Sequence, residues 1–383
     1  MSVTAAKGFT AAGIAAGIKD SGNPDLALVV NEGPRSAAAG VFTSNRVKAA
    51  PVLWSERVLK GGRVSAVVLN SGGANACTGP RGFRDTRATA ERAAEALGCG
   101  AGEIAVASTG LIGVYLPMDR LLPGIGKAAA ELSADGGEAA ALAIKTTDTV
   151  HKTAVYEGDG WTVGGMAKGA GMLAPGLATM LVVLTTDADL EAPGLDAALR
   201  ASTRTTFDRI DSDGCMSTND TVLLLASGAS GVVPDGGEFG EAVRLVCDDL
   251  ARQLIGDAEG ASKDIRIEVV NAASEDDAVE VGRSLARNNL LKCAIHGEDP
   301  NWGRVLSAIG TTSAVFDPDR LNVAINDVWV CRDGSVGADR DLVDMRGREV
   351  RITADLAAGG ETAVIWANDL TAEYVHENSA YSS

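Results

Sequence analysis

The feature that most constrains the fold is a series of short, almost wholly apolar runs that alternate with stretches of helical period. The runs have the length and the aliphatic content of buried strands, and they begin at residues 26, 64, 103, 178, 221 and 265. Amphipathic stretches typical of surface helices lie at residues 84–98, 195–207, 238–255 and 276–291. Strands and helices mixed in this way predict an α/β (α+β) protein in which sheets and helices form layers.

Composition and charge narrow the range of functions. The chain has 34 Lys and Arg against 51 Asp and Glu, a net charge of −17, and 4% of its 383 residues are aromatic. Such a chain repels phosphate backbones and anionic lipids, and it offers few rings on which bases stack. No run approaches the roughly 18 apolar residues of a membrane span, and the N-terminal stretch lacks the apolar core of a signal peptide. We therefore expect no nucleic-acid or membrane partner.

Cysteine and histidine usage argues against metal sites. The six cysteines stand at wide intervals without a C-x-x-C pair, which is typical of reduced thiols in a cytoplasmic protein and disfavours a disulfide framework or structural zinc. The chain has three histidines, His151, His296 and His376. A His-centred metal site or catalytic triad would need almost all of them. We expect a cytoplasmic protein without a bound metal.

Two familiar motifs fail on spacing. A P-loop needs a glycine five residues before its Gly-Lys pair and a Ser or Thr after it, but around Gly126-Lys127 those positions hold Leu121 and Ala128. The acidic segment 208–220 suggests a calcium loop, yet Gly214 falls at the fourth position from Asp211, where an EF-hand requires glycine at the sixth. We interpret this segment as a hydrogen-bonded loop.

The stretch LAPGLATMLVV, residues 173–183, allows two interpretations. One is a Pro-Gly turn that feeds a buried strand. The other makes Thr179 a nucleophile that the chain exposes by itself: its hydroxyl attacks the carbonyl of Ala178, the acyl group moves from nitrogen to oxygen, and water releases the ester. As a new N-terminus, Thr179 would carry an α-amine with a pKa of about 7.7–8.0, better suited as a base than a lysine at about 10.4. The residues alone leave both interpretations open.

A second segment fits the same chemistry. Acyl transfer develops negative charge on a carbonyl oxygen, and donors fixed at that position stabilise it. In AVASTGLIG, residues 105–113, Thr109 can donate its hydroxyl and Gly110 a backbone N–H. The alternative is an ordinary strand-to-loop glycine turn.

Ten ordered segments resemble one enzyme family, the ornithine acetyltransferases, also called glutamate N-acetyltransferases. The resemblance runs from GFTAAGI near the N-terminus to the last residue. The segments are FTSNRVKAAPV, NSGGANACTG, ASTGLIG, KTTDT, GGMAKGAG, GMLAPGLATML, STNDTV, DAEGASK, DPNWGR and NDLTAEYVHENSAYSS. The sequence departs from the family pattern at Gly176 and Leu177, just before the expected cut.

The resemblance implies a self-processing enzyme of N-terminal-nucleophile type, cut between Ala178 and Thr179. The products would be chains 1–178 and 179–383, associated as an α2β2 assembly, and we expect a smaller C-terminal lobe in the second chain from about residue 296. The implied reaction moves acetyl from N2-acetyl-L-ornithine to L-glutamate through an acetyl-threonine and needs no cofactor. Alternatives are an N-terminal-nucleophile amidohydrolase or aminopeptidase, a bifunctional variant that also uses acetyl-CoA, and a metabolite-binding protein that never cleaves.

Carried over motif by motif, the resemblance also implies roles for single residues. Thr109 and Gly110 correspond to the oxyanion hole, and Thr179 is the nucleophile. The substrate contacts implied are Thr147, Lys168, Thr179, Glu259, Asn378 and Ser383. Whether Thr146 or Thr147 meets substrate stays open.

Overall fold

The computed structural model describes residues 2–174 and 180–380. Within them the strands are β1 Phe9–Ile14, β2 Leu26–Asn31, β3 Ala37–Phe42, β4 Ala66–Gly73, β5 Ile104–Leu111, β6 Lys152–Glu157, β7 Thr162–Lys168, β8 Leu181–Thr186, β9 Thr221–Ala226, β10 Asp264–Ala272, β11 Asn322–Ile325, β12 Val328–Arg332, β13 Ser335–Val336, β14 Glu349–Asp355 and β15 Glu361–Asn368. The helices are α1 Ala50–Val58, α2 Gly79–Leu97, α3 Met118–Ala130, α4 Gly137–Ala143, α5 Ala192–Thr205, α6 Gly236–Gly256, α7 Glu275–Ala286, α8 Asn289–His296, α9 Trp302–Ile309 and α10 Ala372–Ala380.

Two sheets pack face to face at the centre of the protein. The first has the strand order β1-β2-β4-β5, and the second has the order β3-β9-β8-β7-β6. Apolar side chains of both sheets form one core between them. The outer face of the first sheet is covered by α2 and α3, and that of the second by α5 and α6. This four-layer arrangement of helices, two sheets and helices confirms the predicted mixed, layered fold.

The layering explains why the central strands are apolar on both faces. In β8, Leu181 and Val183 point into the core between the sheets, whereas Val182 and Leu184 point toward the helices. Successive side chains of a strand face opposite sides, so a strand with a packed layer on each side needs apolar residues throughout. The same alternation holds in β9.

A third sheet belongs to the C-terminal part of the chain. Its six strands have the order β13-β12-β11-β14-β10-β15, and their apolar face packs with residues of α7, α8 and α9 in a separate core. The sheet includes β10, which begins at Asp264. This sheet therefore begins well before residue 296, the position from which the sequence predicts a smaller C-terminal lobe.

All four predicted stretches form helices, and one of them forms two. Helices α1, α3, α4, α9 and α10 were not predicted from the sequence. The stretch 276–291 forms two helices, because Asn288 interrupts it and caps α8 by accepting a hydrogen bond from the Leu291 N–H. An Asn side chain satisfies a free N–H at a helix start better than it extends a helix. Of the described helices, none has the length and apolarity to cross a membrane.

Candidate active site

A cavity of about 310 Å³ opens where β5 and β7 end. Its lining includes six of the residues implied by the family resemblance: Thr109, Gly110, Thr147, Lys168, Glu259 and Asn378. They come from segments spread over some 270 positions of sequence, so only the packing of the layers brings them together. Ala178, Thr179 and Ser383, like the unusual Gly176 and Leu177, lie outside the described residues.

The end of β5 accepts only a glycine at position 110. Gly110 has a φ of +126°, and a Cβ placed on it would lie 2.6 Å from the backbone of Gly72 and Gly73 in the neighbouring strand β4. No side chain fits at that distance, and L-residues rarely adopt such a φ. Close backbone approach is therefore built into the strand end that carries Thr109.

Lys168 is the central cation of the cavity. Its side chain is buried at the end of β7, and Nζ donates a hydrogen bond to Thr109 Oγ1 at 3.3 Å. Burial lowers the pKa of Lys168, and the neighbouring carboxylates of Asp148 and Glu259 work in the opposite direction. In β-sheet pairing Lys168 lies opposite Leu181, the first residue of β8. The cation is thus fixed beside the strand that follows Thr179.

A buried network holds the loop that carries Thr146 and Thr147. The carboxylate of Asp148 accepts from the Thr146 N–H at 2.9 Å, from the Gly169 N–H at 2.6 Å and from Lys152 Nζ at 2.7 Å. Lys152, whose side chain is fully buried, also donates to Asp257 at 2.5 Å. Burial disfavours the charged form of Asp148, but the positive charges of Lys168 and Lys152 and these hydrogen bonds hold its pKa below the usual range.

Glu259 also lines the cavity. It follows α6, and its backbone N–H donates to the Ala170 carbonyl at 2.9 Å. A Cβ on Gly171 would lie 2.5 Å from the Glu259 carboxylate, so the glycine leaves room for that carboxylate. A cavity lined by both an anion, Glu259, and a cation, Lys168, suits a small zwitterionic ligand.

Asn378 reaches the cavity from α10. Its Nδ2 donates to the Tyr374 carbonyl one turn earlier at 3.0 Å, and the residue is exposed. The preceding residue, Glu377, has a raised pKa because of burial and the negative charges of Glu259 and Glu373. This edge of the cavity is therefore open and acidic.

Comparison with known proteins identifies the family. The family model described as "ArgJ family" matches residues 10–383. The chain belongs to the ArgJ family. This confirms the resemblance found in the ten segments and makes the chain an acetyltransferase of arginine biosynthesis.

ArgJ relatives match along the whole length. The arginine biosynthesis bifunctional protein ArgJ of Streptomyces avermitilis is 82% identical over 383 residues, 100% of both chains. That of Thermobifida fusca is 64% identical over 383 residues, again 100% of both. Among solved structures, an ornithine acetyltransferase complexed with ornithine from Mycobacterium tuberculosis is 63% identical, with a TM-score of 0.45, and the match covers 45% of this chain and 94% of that chain.

The sequence interpretation missed part of this ArgJ site. Thr146 lines the cavity as Thr147 does, so the structure leaves both hydroxyl residues as candidates. Asp148 and Asp257 were present in the segments KTTDT and DAEGASK without a role. Lys152 carried no signal, because a pairing across distant segments has no local pattern. Further lining residues that were not predicted are Ala74, Leu111, Ile112, Gly171, Met172, Ser217 and Asn219.

The acidic segment 208–220 is a hydrogen-bonded loop, as the sequence interpretation held. Asp211 accepts from the Gly214 N–H at 3.1 Å and from Arg287 at 2.7 Å. Within residues 2–174 and 180–380, no group of three or more His, Cys, Asp or Glu is arranged to hold a metal ion. The carboxylates of the loop act as hydrogen-bond acceptors.

Proposed function

We propose that the chain cuts itself between Ala178 and Thr179 and then transfers acetyl from N2-acetyl-L-ornithine to L-glutamate through an acetyl ester on Thr179. The observation that carries this proposal is the cavity in which Thr109, Lys168 and Glu259 meet. Lys168 pairs with Leu181, which stands two residues after Thr179. Membership of the ArgJ family and the four-layer fold support the same conclusion.

The first step makes the nucleophile. The Thr179 hydroxyl attacks the Ala178 carbonyl carbon, the carbon–nitrogen bond breaks, and the hydroxyl proton ends on the released amine. Water then hydrolyses the ester, which leaves a carboxylate on Ala178 and restores the Thr179 hydroxyl. The oxyanion formed in each step needs donors fixed in advance, and the Thr109 hydroxyl and the Gly110 N–H are suited to that role.

The transfer reaction has two half-reactions. The Thr179 hydroxyl, deprotonated by its own α-amine, attacks the acetyl carbon of acetylornithine, and the proton passes to the amine of the leaving ornithine. The amine of glutamate then attacks the acetyl-threonine, and the hydroxyl recovers its proton. This is covalent catalysis by an activated nucleophile and requires no cofactor.

Charge decides how the substrates bind in this proposal. Both substrates carry an α-carboxylate, for which Lys168 is the buried cation of the cavity. The side-chain ammonium of ornithine pairs with Glu259, since charge-assisted hydrogen bonds give both affinity and direction. Thr147, Asn378 and Ser383 add polar contacts.

The sheet topology supports two chains that stay together after the cut. In the second sheet, β3, β6 and β7 belong to residues 1–178, whereas β8 and β9 belong to residues 179–383. The pairings β7–β8 and β3–β9 therefore cross between the products. We propose that the pair assembles further as α2β2, and that it works in the cytoplasm, where free thiols such as the six of this chain are typical.

Intact mass and denaturing gels of the purified protein test the cleavage. The wild type should yield fragments 1–178 and 179–383, Thr179→Ala should stay whole, and Thr179→Ser, which keeps a hydroxyl, should still be cut. A wild-type protein that stays whole and inactive would rule out the mechanism.

Steady-state kinetics test the acceptor. With acetylornithine as donor, glutamate should raise turnover well above hydrolysis and give the parallel double-reciprocal lines of a ping-pong mechanism. Turnover that glutamate leaves unchanged would identify an amidohydrolase instead. The same assay with acetyl-CoA as donor determines whether the enzyme is bifunctional.

A further inference from the structure

The acidic loop 208–220 holds both flanks of the segment that contains the expected cut. On the C-terminal flank, the Met180 N–H donates to Asp220 Oδ1 at 3.2 Å, and the Thr221 N–H donates to the Met180 carbonyl at 3.1 Å. On the N-terminal flank, the Leu173 N–H donates to Asp213 Oδ2 at 2.7 Å, and the Leu173 carbonyl accepts from Asp213 N–H at 3.0 Å. Two carboxylates of one loop thus grip the chain on either side of residues 175–179.

Neither carboxylate is an ordinary surface group. The side chain of Asp220 is fully buried, and among the described residues its second oxygen, Oδ2, has no hydrogen-bond partner. Burial raises the pKa of Asp220 well above its usual range, and burial also raises that of Asp213. A buried carboxylate lowers the stability of a protein unless hydrogen bonds or ion pairs offset its loss of hydration. The free energy lost by burying Asp213 and Asp220 points to a function for these two side chains.

The end of the loop is hydrogen-bonded to the first sheet. Asn219 Nδ2 donates to the Ala74 carbonyl at 2.6 Å and to the Ser108 carbonyl at 2.8 Å. The Ser108 carbonyl belongs to the peptide bond that precedes Thr109. Two neighbouring residues of the loop therefore make two different contacts. Asn219 contacts the strand end proposed as the oxyanion hole, and Asp220 contacts the N–H of Met180, the residue that follows Thr179.

We propose that residues 212–220 form a clamp that positions the chain for self-cleavage, with Asp213 holding the departing side and Asp220 the side that becomes the nucleophile. This inference rests on the proposed self-cleavage. A peptide bond is planar, so fixing the Met180 N–H also fixes the plane of the Thr179 carbonyl. Small displacements of a nucleophile cost large factors in rate. Asp213 and Asp220 are positioning residues in this scheme.

The two halves of the clamp have different fates after the cut. Asp220 and Met180 both belong to residues 179–383, so their contact continues to orient Thr179 during acetyl transfer. Asp213 belongs to the same product, but Leu173 belongs to residues 1–178. After the cut, the Asp213–Leu173 contact joins the C-terminal end of product 1–178 to product 179–383 and no longer acts on Thr179. Loss of Asp220 should therefore affect cleavage and transfer, and loss of Asp213 should affect cleavage.

The Asp220 half is tested by cell-free synthesis, with the cut followed on denaturing gels over time. Asp220→Ala removes the acceptor and should slow cleavage at least roughly tenfold, the effect of one hydrogen bond in positioning. It should also lower kcat of the processed fraction with little change in KM. Asp220→Asn keeps an acceptor oxygen and should retain most of both rates. The inference is overturned if Asp220→Ala cleaves like the wild type, or if Asp220→Asn is as slow as Asp220→Ala.

The Asp213 half has a control of its own. The Tyr374 hydroxyl of α10 also hydrogen-bonds Asp213, so Tyr374→Phe removes that contact and leaves the one to Leu173. Asp213→Ala should cleave roughly tenfold more slowly, Tyr374→Phe should cleave at the wild-type rate, and the processed forms of both should have the same kcat. Equal cleavage rates in all three proteins would overturn the inference. If the wild type itself stayed uncut, the proposed function would fail first.

Discussion

The cavity has two walls that differ in how they hold their charges. The deep wall consists of Thr109 and Lys168, which line the cavity, and of Asp148 and Lys152 in the network beside them. All four residues are buried, and the lysines are held by carboxylates and a hydroxyl in hydrogen bonds. The outer wall, made of Glu259 and Asn378, is partly open to solvent and comes from the segments around α6 and α10.

This difference in burial predicts whether a wall affects the stability of the protein or its affinity for substrate. A buried charge without its partner lowers stability, so changes in the deep wall should reduce both the stability of the fold and the activity. An exposed group exchanges its contact for water at small cost, so the outer wall should adjust substrate affinity and leave folding unchanged. Five predictions follow from this contrast, in order of decreasing effect.

Lys152→Met should break the deep wall. It leaves the buried Asp148 and the neighbouring Asp257 without their shared cation, and losing one partner of a buried ion pair costs about 3–5 kcal/mol of unfolding free energy. Urea unfolding measures the loss. Lys60→Met, at an exposed position, is the control and should unfold like the wild type. A Lys152 variant as stable as the control would contradict the assignment.

Gly110→Ala should damage the proposed oxyanion hole. The added Cβ meets the backbone of Gly72 and Gly73, which forces the strand ends apart, and loss of a single donor lowers kcat by about 10²–10³. The matched control is Gly113→Ala, since Gly113 has a φ of +82° but open space around it. Comparable kcat values for the two variants would show that the close approach is dispensable.

Glu259→Gln should weaken binding of the donor. Removing the negative charge from the outer wall is expected to raise KM for acetylornithine by about 10- to 100-fold, the value of a charge-assisted contact, with the melting temperature unchanged. Glu373→Gln, an exposed change on α10, controls for the general loss of negative charge. Equal KM values in the two variants would remove Glu259 from the binding site.

Low pH should remove the contribution of the charged Asp148 to the unfolding free energy. Because folding holds the pKa of Asp148 below its usual value, its stabilisation is complete above the unfolded pKa of about 3.9 and is lost as the pH falls through the folded pKa. The wild type should exceed Asp148→Asn in unfolding free energy at pH 6, and on the order of 2 kcal/mol of this gap should disappear by pH 2–3. A gap that is constant across that range would be inconsistent with a lowered pKa.

Asn378→Ala should have the smallest effect. The residue is exposed and its Nδ2 already bonds within α10, so we expect a two- to fivefold rise in KM, about 0.5–1 kcal/mol. Ser379→Ala, next to it on the same exposed helix, should leave KM unchanged. An Asn378 effect as large as that of Glu259 would erase the distinction between the walls.

Local patterns predicted much of the fold and of the site. The apolar runs mark β8 and β9 because strands packed on both faces need apolar residues throughout. A short continuous apolar run is readable without tertiary information. The helix break at Asn288 was missed because a capping residue inside an amphipathic stretch looks like any other polar position. The deep wall was half found: Lys168 stands in a recognisable segment, whereas Lys152 is one lysine among many in the sequence.

The sequence by itself determined the family, the layered fold and six of the residues that line the cavity, because each depends on ordered segments or on periodicity along the chain. Only the tertiary structure decided how those residues are held. The pairing of Lys152 with Asp148 and Asp257, the close approach at Gly110 and the grip of Asp213 and Asp220 on the flanks of residues 175–179 all join parts of the chain that are distant in sequence or lie on different elements. Such contacts arise from the packing of whole layers, and no local pattern records them.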